Sequence, residues 1–382
     1  MLACELDPKK FDVSVYESNG SLGRKFLVAG DGGLNLTHSE KESDFIKRYT
    51  PSLFFEKAFN HFSNVDFVKW LNDLGIETFV GSSGRVFPKK GIKPVEVLNT
   101  FLKKIKNNSV SIYTKYEWQG FSNNDNLLFY VNNDPVVVKA DLVVFCLGGA
   151  SWPITGSNGN WVNYLENKGI NIAPFKASNC AFKINWDKNL VLKIEGKVLK
   201  NVSITCGNKT HFGEAVITKF GIEGSGIYPL SSQIREQLAK NKKAEITIDF
   251  KPALSLEKIL EKLNSDKRNL TENLKTELKL SPLQMHLLKS LISKEDFLDL
   301  NKLAVHLKHF KLIITDTAPI EEAISTVGGI SLNEINENFE LKNLPGYFAI
   351  GEMLDYDAPT GGYLLQSCFS MGKYLADYFN KL

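Results

Sequence analysis

The sequence predicts an α/β fold interrupted by a block of different character. Two observations carry this. Three stretches, FDVSVYES at 11–18, DLVVFCLGG at 141–149 and GYFAIGE at 346–352, run as strands into glycine-rich loops. Strands of an open, mostly parallel sheet look like this where they deliver a ligand loop. Between the second and third stretches, from about 178 to 312, the text turns to short strands with glycine turns and then to glycine-free helices.

Taken in order, MLACEL looks like the tail of a helix. FDVSVYES alternates apolar and polar residues and ends at Glu17, which predicts a short strand closed by an acid. GRKFLVAGDGGLNLTHSE, residues 23–40, reads as a glycine-rich hinge whose Asn-x-Thr ending suits a helix start. Phe55, Phe59 and Phe62, then Phe67, Trp70, Leu71 and Leu74, carry a helical period over 53–75, with a second helix starting after Ser63. GIETFVGSSGRVFPKK predicts a hairpin and PVEVLNTFLKKIKNN an amphipathic helix. SVSIYTKYEWQGF, NLLFYVNN and PVVVKADLVVFCLGG read as strands. AEITIDFKP is a strand, 255–310 is helical and rich in Lys, Glu and Leu, and the text after about 312 returns to strand, glycine loop and helix.

Composition excludes several classes. Hydrophobic residues make up 43% and charged residues 23%, ordinary for a globular chain. Lys and Arg number 46 against 43 Asp and Glu, a net charge of +3 that gives no argument for a nucleic-acid partner, and KNKK at 240–243 reads as a solvated loop. Five cysteines without a CxxC, and no secretory leader pattern, point to a reduced cytoplasmic protein. Cys146 and Cys368 sit in apolar runs and are expected in the core. No run of about 18 apolar residues is present, so no membrane span is expected. The six histidines form no metal-ligand pattern; His306 and His309 are expected on a solvated helix face.

Three loops are therefore the candidates for chemistry. In a dinucleotide fold an acid ending the second strand accepts hydrogen bonds from ribose hydroxyls, a role open to Glu17, which a solvated glutamate would fit equally well. CLGGASWPITGSNGNW follows a buried strand. AIGEMLDYDAPTGGYLLQSCFSMG places Gly361-Gly362 ahead of a helix, whose N-terminal N–H groups suit an anionic ring edge or a phosphate. An ordinary strand–turn–helix connection would read the same way.

Five motifs, GRKFLVAGDGGLNLTHSE, GRVFPKK, CLGGASWPITGSNGNW, GEAVITKFGIEGSGIYPLSS and GEMLDYDAPTGGYLLQSCFSMG, occur in the order and spacing that resemble the BaiN-like (YhiN-type) flavoproteins, also called the aminoacetone-oxidase-family FAD-binding enzymes. The resemblance runs from near residue 11 to the C-terminus. It implies a Rossmann-like FAD-binding domain of the two-dinucleotide-binding type at 1–178 and 316–382. Into it is inserted a domain at 179–315, β-barrel-like over 179–252 and helical over 253–312.

Carried onto these positions, the resemblance implies that Glu17 binds the adenosine ribose. It sets Arg24, Lys25, Gly30, Gly32 and Gly33 near FAD, with Asn35 and Thr37 closing the hinge over the flavin. Gly148 and Gly149 would pack beside the adenine side, and Gly351 and Glu352 would hold the ribityl-phosphate region. Gly361, Gly362 and Tyr363 would face the isoalloxazine.

The family pattern opens with a strand and GxGxxG, so about 20–25 residues are expected ahead of the hinge beyond those here; on this reading the domain is N-terminally truncated. The implied activity is an FAD-dependent oxidoreductase taking a hydride from NAD(P)H or from its substrate and passing electrons to a small organic molecule or oxygen. Glu214, Tyr228, Tyr363 and His38 are the candidate acids and bases. The rival readings are a degenerate flavoprotein without catalysis and a nucleic-acid-associated flavoprotein acting through the lysine-rich helices.

Overall fold

A computed structural model describes residues 1–29, 33–265 and 269–382. The chain forms two compact units, one of Met1–Lys176 with Ile324–Leu382 and one of Ala177–Ala323.

The first unit begins with α1 (Leu2–Glu5), β1 (Ser14–Glu17) and α2 (Arg24–Ala29). The segment read as a hinge thus starts as a helix, because RKFLVA carries no glycine. Next come β2 (Thr37–His38), α3 (Glu42–Phe45), α4 (Glu56–His61) and α5 (Asn64–Asp73). Ser63 and Asp66 cap α5 reciprocally, the device that starts the second aromatic helix where the sequence placed it. The Asn-x-Thr ending of the hinge does not start a helix. Thr37 and His38 pair instead with Val86 and Arg85, since the backbone there joins the sheet of the hairpin β3 (Thr78–Val80) and β4 (Arg85–Pro88).

The helix α6 (Pro94–Asn107) leads to β5 (Ser111–Thr114), which runs parallel to β1. The antiparallel meander β6 (Glu117–Phe121), β7 (Leu127–Val131) and β8 (Asp134–Val138) precedes β9 (Val143–Phe145). Alternation along β9 buries Val143 and Phe145 and turns Cys146 outward. Cys146 is therefore exposed rather than a core residue, and Cys368 is half-buried. After α7 (Val162–Glu166) and β10 (Ile172–Ser178) the chain enters the second unit.

There β11 (Phe182–Lys183), α8 (Lys188–Ile194), β12 (Val198–Cys206), β13 (Lys209–Ile217), β14 (Gly221–Glu223), α9 (Ser231–Asn241) and β15 (Ala244–Asp249) precede five helices. These are α10 (Leu256–Asn264), α11 (Leu270–Thr276), α12 (Pro282–Leu291), α13 (Lys294–Leu298) and α14 (Leu300–Lys308), followed by β16 (Phe310–Ile314) and β17 (Asp316–Thr317). The seven strands pair in the order β16-β15-β12-β13-β14-β11-β17. The two outer strands are neighbours in sequence, separated only by Thr315, so the sheet curls until its edges meet along one segment, as in a barrel. Its apolar face, with Ile204, Ile217, Ile246 and Ile248, packs with Leu287, Leu303 and Leu307 of the helices into one core. His306 is half-buried on α14, with Asp296 3.5 Å from its Nε2, rather than freely solvated.

The chain then returns to the first unit through β18 (Ser325–Ile330), beside β10, and β19 (Tyr347–Ala349), parallel to β9. It ends in α15 (Tyr363–Phe379), the longest helix described. Phe67, Trp70 and Phe101 pack on Phe369 of α15, and Gly372 lets α1 approach it closely. The parallel pairs β1–β5 and β9–β19 are separate two-stranded sheets among the described residues. No helix there is long and apolar enough to cross a membrane, and no group of three or more His, Cys, Asp or Glu side chains could hold a metal ion.

Candidate functional site

Three of the glycine-bearing loops of the first unit meet at Lys25. Its Nζ donates to Ser151 Oγ at 2.9 Å and Ser157 Oγ at 3.2 Å, and pairs with Glu352 Oε2 at 2.9 Å. Glu352 Oε1 accepts the Thr326 N–H at 3.1 Å, and its side chain is only 9% exposed. Gly149 is fixed by this crowding. A Cβ there would lie 1.9 Å from Thr326 Oγ1 and 3.2 Å from the Glu352 carboxyl. Gly148 and Gly351 adopt positive φ at the ends of β9 and β19, where the chain leaves each strand for its loop.

Glu17 lies at the end of β1. Its Oε1 takes the Asn19 N–H at 2.8 Å and Asn19 Nδ2 at 2.9 Å, a turn that Arg24 Nη1 tightens by donating to Asn19 Oδ1 at 2.5 Å. Arg24 and Lys25 are adjacent on α2 but serve different loops. Gly30 and Gly32 lie outside the described residues, and Gly33, at φ +129°, resumes the chain.

The hinge then lies against the start of α15. Thr37 is fully buried and its Oγ1 donates to Gln366 Oε1 at 2.7 Å, so its side chain ties the hinge to the helix. Gly362, at φ +90°, has the Thr37 backbone where a Cβ would sit, 2.5–2.8 Å away. The first turn of α15 has no side-chain cap, and the buried Asn35 Oδ1 in the hinge has no hydrogen-bond partner among the described residues. A buried amide oxygen left this way costs free energy until a donor reaches it.

Beside this junction stands a polar cluster that composition and spacing did not reveal. Tyr363 OH donates to Glu40 Oε1 at 2.5 Å, and Arg48 grips the same carboxylate through Nε at 3.1 Å and Nη2 at 2.7 Å. Burial opposes the Glu40 charge, but hydrogen bonds from Arg48 and Tyr363 outweigh it and hold the carboxyl below its ordinary range. Burial, and then the bond to Glu40, push the Tyr363 phenol well above the usual tyrosine range. His38 stacks on Tyr363 with ring centroids 5.4 Å apart. Its Nδ1 accepts the Glu40 N–H at 3.1 Å, so the proton sits on Nε2, which donates to Ser83 O at 3.0 Å. Both ring nitrogens of this candidate base are thus engaged by backbone. Glu214 and Tyr228 belong to the second unit, where burial and then Glu223 push the Tyr228 phenol up to about 12.

Parallel strands ending in glycine loops, with a long C-terminal helix aimed at a hinge, define a Rossmann-like FAD-binding domain. A family model described as the HI0933-like protein Rossmann domain matches residues 1–378, and the chain belongs to that family, the BaiN/YhiN-type flavoproteins. The 3-dehydro-bile acid delta(4,6)-reductase of Clostridium scindens is 24% identical over 386 residues, covering 95% of this chain and 91% of the relative. The ribosomal RNA dihydrouridine synthase of Haemophilus influenzae is 22% identical over 368 residues, covering 94% and 90%. A solved quinol-fumarate reductase shares the fold at TM-score 0.50 and 11% identity, covering all of this chain and 68% of the other.

Proposed function

We propose that the protein is an FAD-dependent reductase of a carbon–carbon double bond conjugated to a carbonyl group. The observation that carries the reading is the junction of hinge and α15. An unsatisfied buried acceptor on Asn35, a helix start without a side-chain cap and two glycines at positive φ together fit the polar edge of a flat heteroaromatic ring. FAD, when bound, supplies two-electron hydride chemistry at that ring.

The chain's own residues do the rest. Asn35 would accept from a ring N–H, and the first N–H groups of α15 would meet an electron-rich edge. Glu352 and Lys25 stand where hydroxyls and an anionic group of the cofactor chain would be read. Gly33, Gly351 and the Gly361-Gly362 turn keep backbone close without side chains. Tyr363, tied to Glu40, is a rigid wall rather than a mobile acid. Glu17 stands at the end of a strand, where ribose hydroxyls would replace its bonds to Asn19.

Two relatives support the proposed substrate class. A steroid delta(4,6)-reductase and a dihydrouridine synthase differ in substrate size but share the saturation of a C=C bond conjugated to a carbonyl. A second reading takes uridine in RNA as that substrate, favoured by the relative of that name and tested by salt-sensitive RNA binding. For the principal reading, FAD-loaded protein is mixed anaerobically with NADH or NADPH and a cyclic enone. Enone-dependent oxidation of the nicotinamide is expected. Oxidation that needs oxygen and ignores the enone would contradict the reading.

A further inference from the structure

Arg85 lies in GRVFPKK, a motif to which no role has yet fallen. It opens β4 opposite His38 of β2 and is half-buried. The other basic side chains around the site are engaged: Arg24 with Asn19, Lys25 with Glu352, Arg48 with Glu40. The Arg85 guanidinium has no hydrogen-bond or ion-pair partner among the described residues; only its backbone is tied, the carbonyl accepting the Gly81 N–H at 2.8 Å. The carboxylate of this cluster cannot serve it. Glu40 already takes the Arg48 guanidinium across both oxygens and the Tyr363 hydroxyl on Oε1. His38 is no acceptor for it either, since both of its ring nitrogens are engaged by backbone groups.

Position gives the open guanidinium its meaning. A side chain at Gly361 would enter a space bounded by the Tyr363 ring edge at 3.1 Å and Arg85 Nε at 3.9 Å. Glycine keeps that space clear, directly beside the first turn of α15. A flat conjugated molecule placed there has an aromatic edge along one border and a permanent, fork-shaped cation at another.

We infer that Arg85 binds the carbonyl oxygen of the substrate, an inference that rests on the reading of the protein as a reductase of conjugated carbonyl compounds. In that reaction a hydride adds to the β-carbon, and the C=C electron pair shifts to form the enolate C=C bond. The carbonyl π pair moves onto oxygen, and a proton taken up at the α-carbon restores the carbonyl. Negative charge is therefore greatest on the oxygen midway, and a preorganised guanidinium there favours the charged state more than the neutral one.

The test uses the FAD-loaded protein and 4-nitrophenol, a flat conjugated oxyanion whose colour reports its own ionisation. Wild type should bind it and lower the pKa of the bound probe by about one unit, as an adjacent opposite charge does. Arg85→Gln should bind it at least tenfold more weakly and abolish the shift. Arg85→Lys should keep part of the shift but lose affinity, because an ammonium lacks the fork. Both variants should keep their flavin content and melting temperature, because the Arg85 side chain ties no described residue and its backbone bonds survive the substitution. Probe binding and ionisation unchanged in Arg85→Gln, or no binding by wild type, would overturn the inference. If binding depends on Arg85 while no enone is reduced, the subsite stands and the reaction class falls. If Arg85→Gln reduces enones with an unchanged KM, the reaction class stands and the subsite falls.

Discussion

Gly362→Ala should lower stability by about 3 kcal/mol or more and release bound flavin. Two costs add. The position has φ +90°, a conformation that costs a non-glycine residue on the order of 1–3 kcal/mol. The new Cβ would also meet three backbone atoms of Thr37 at 2.5–2.8 Å, so the hinge or α15 must move. That movement would break the Thr37–Gln366 bond and disturb the hinge that carries Asn35 two residues earlier. Gly91→Ala is the control, since φ there is +99° but nothing lies within 4 Å of its Cβ, leaving backbone strain alone. Urea denaturation midpoints of the two variants separate the terms. Equal losses in both would show that the contact with the hinge carries no energy.

Lys25→Met should cost roughly 3 kcal/mol, because it strands a carboxylate that is mostly out of water. Glu352 would keep the Thr326 N–H but lose the ammonium, while Ser151 and Ser157 lose their shared donor. The double variant Lys25→Met/Glu352→Gln removes the uncompensated charge and should recover part of the loss, although Lys25 itself is 30% exposed. A double-mutant cycle by denaturant unfolding measures this. Simple additivity would mean that solvent already screens the pair.

These effects explain how far the sequence could be read. The aromatic helices, the hairpin and the strands before glycine loops were legible because their periodicity and turn residues are local. Glu352 stood out as an acid closing an apolar strand. The partners that fix it did not, because Lys25, Ser151, Ser157 and Thr326 are joined only by folding, across separations of up to 327 residues. Thr37 was legible as a hinge residue, yet its side chain faces Gln366, a pairing no spacing announces. Cys146 was misread because its apolar run hid the alternation that turns it outward. Glu40 and Arg48 gave no signal at all; charged residues in a surface-like stretch are indistinguishable from solvated ones until Tyr363 is brought to them.

In the proposed function, the loops meeting at Glu352, with the hinge and α15, hold FAD. Flavin retained per chain after dialysis, read from visible absorbance for wild type, Glu352→Ala and His306→Ala, tests it most directly. Glu352→Ala would remove hydrogen bonds from cofactor hydroxyls, on the order of 1.5–3 kcal/mol for a charged acceptor, which is about a tenfold or greater weakening. His306 sits in the other unit against Asp296. Near-complete flavin loss in Glu352→Ala with retention in His306→Ala is the predicted result, and equal retention in both would contradict the assignment.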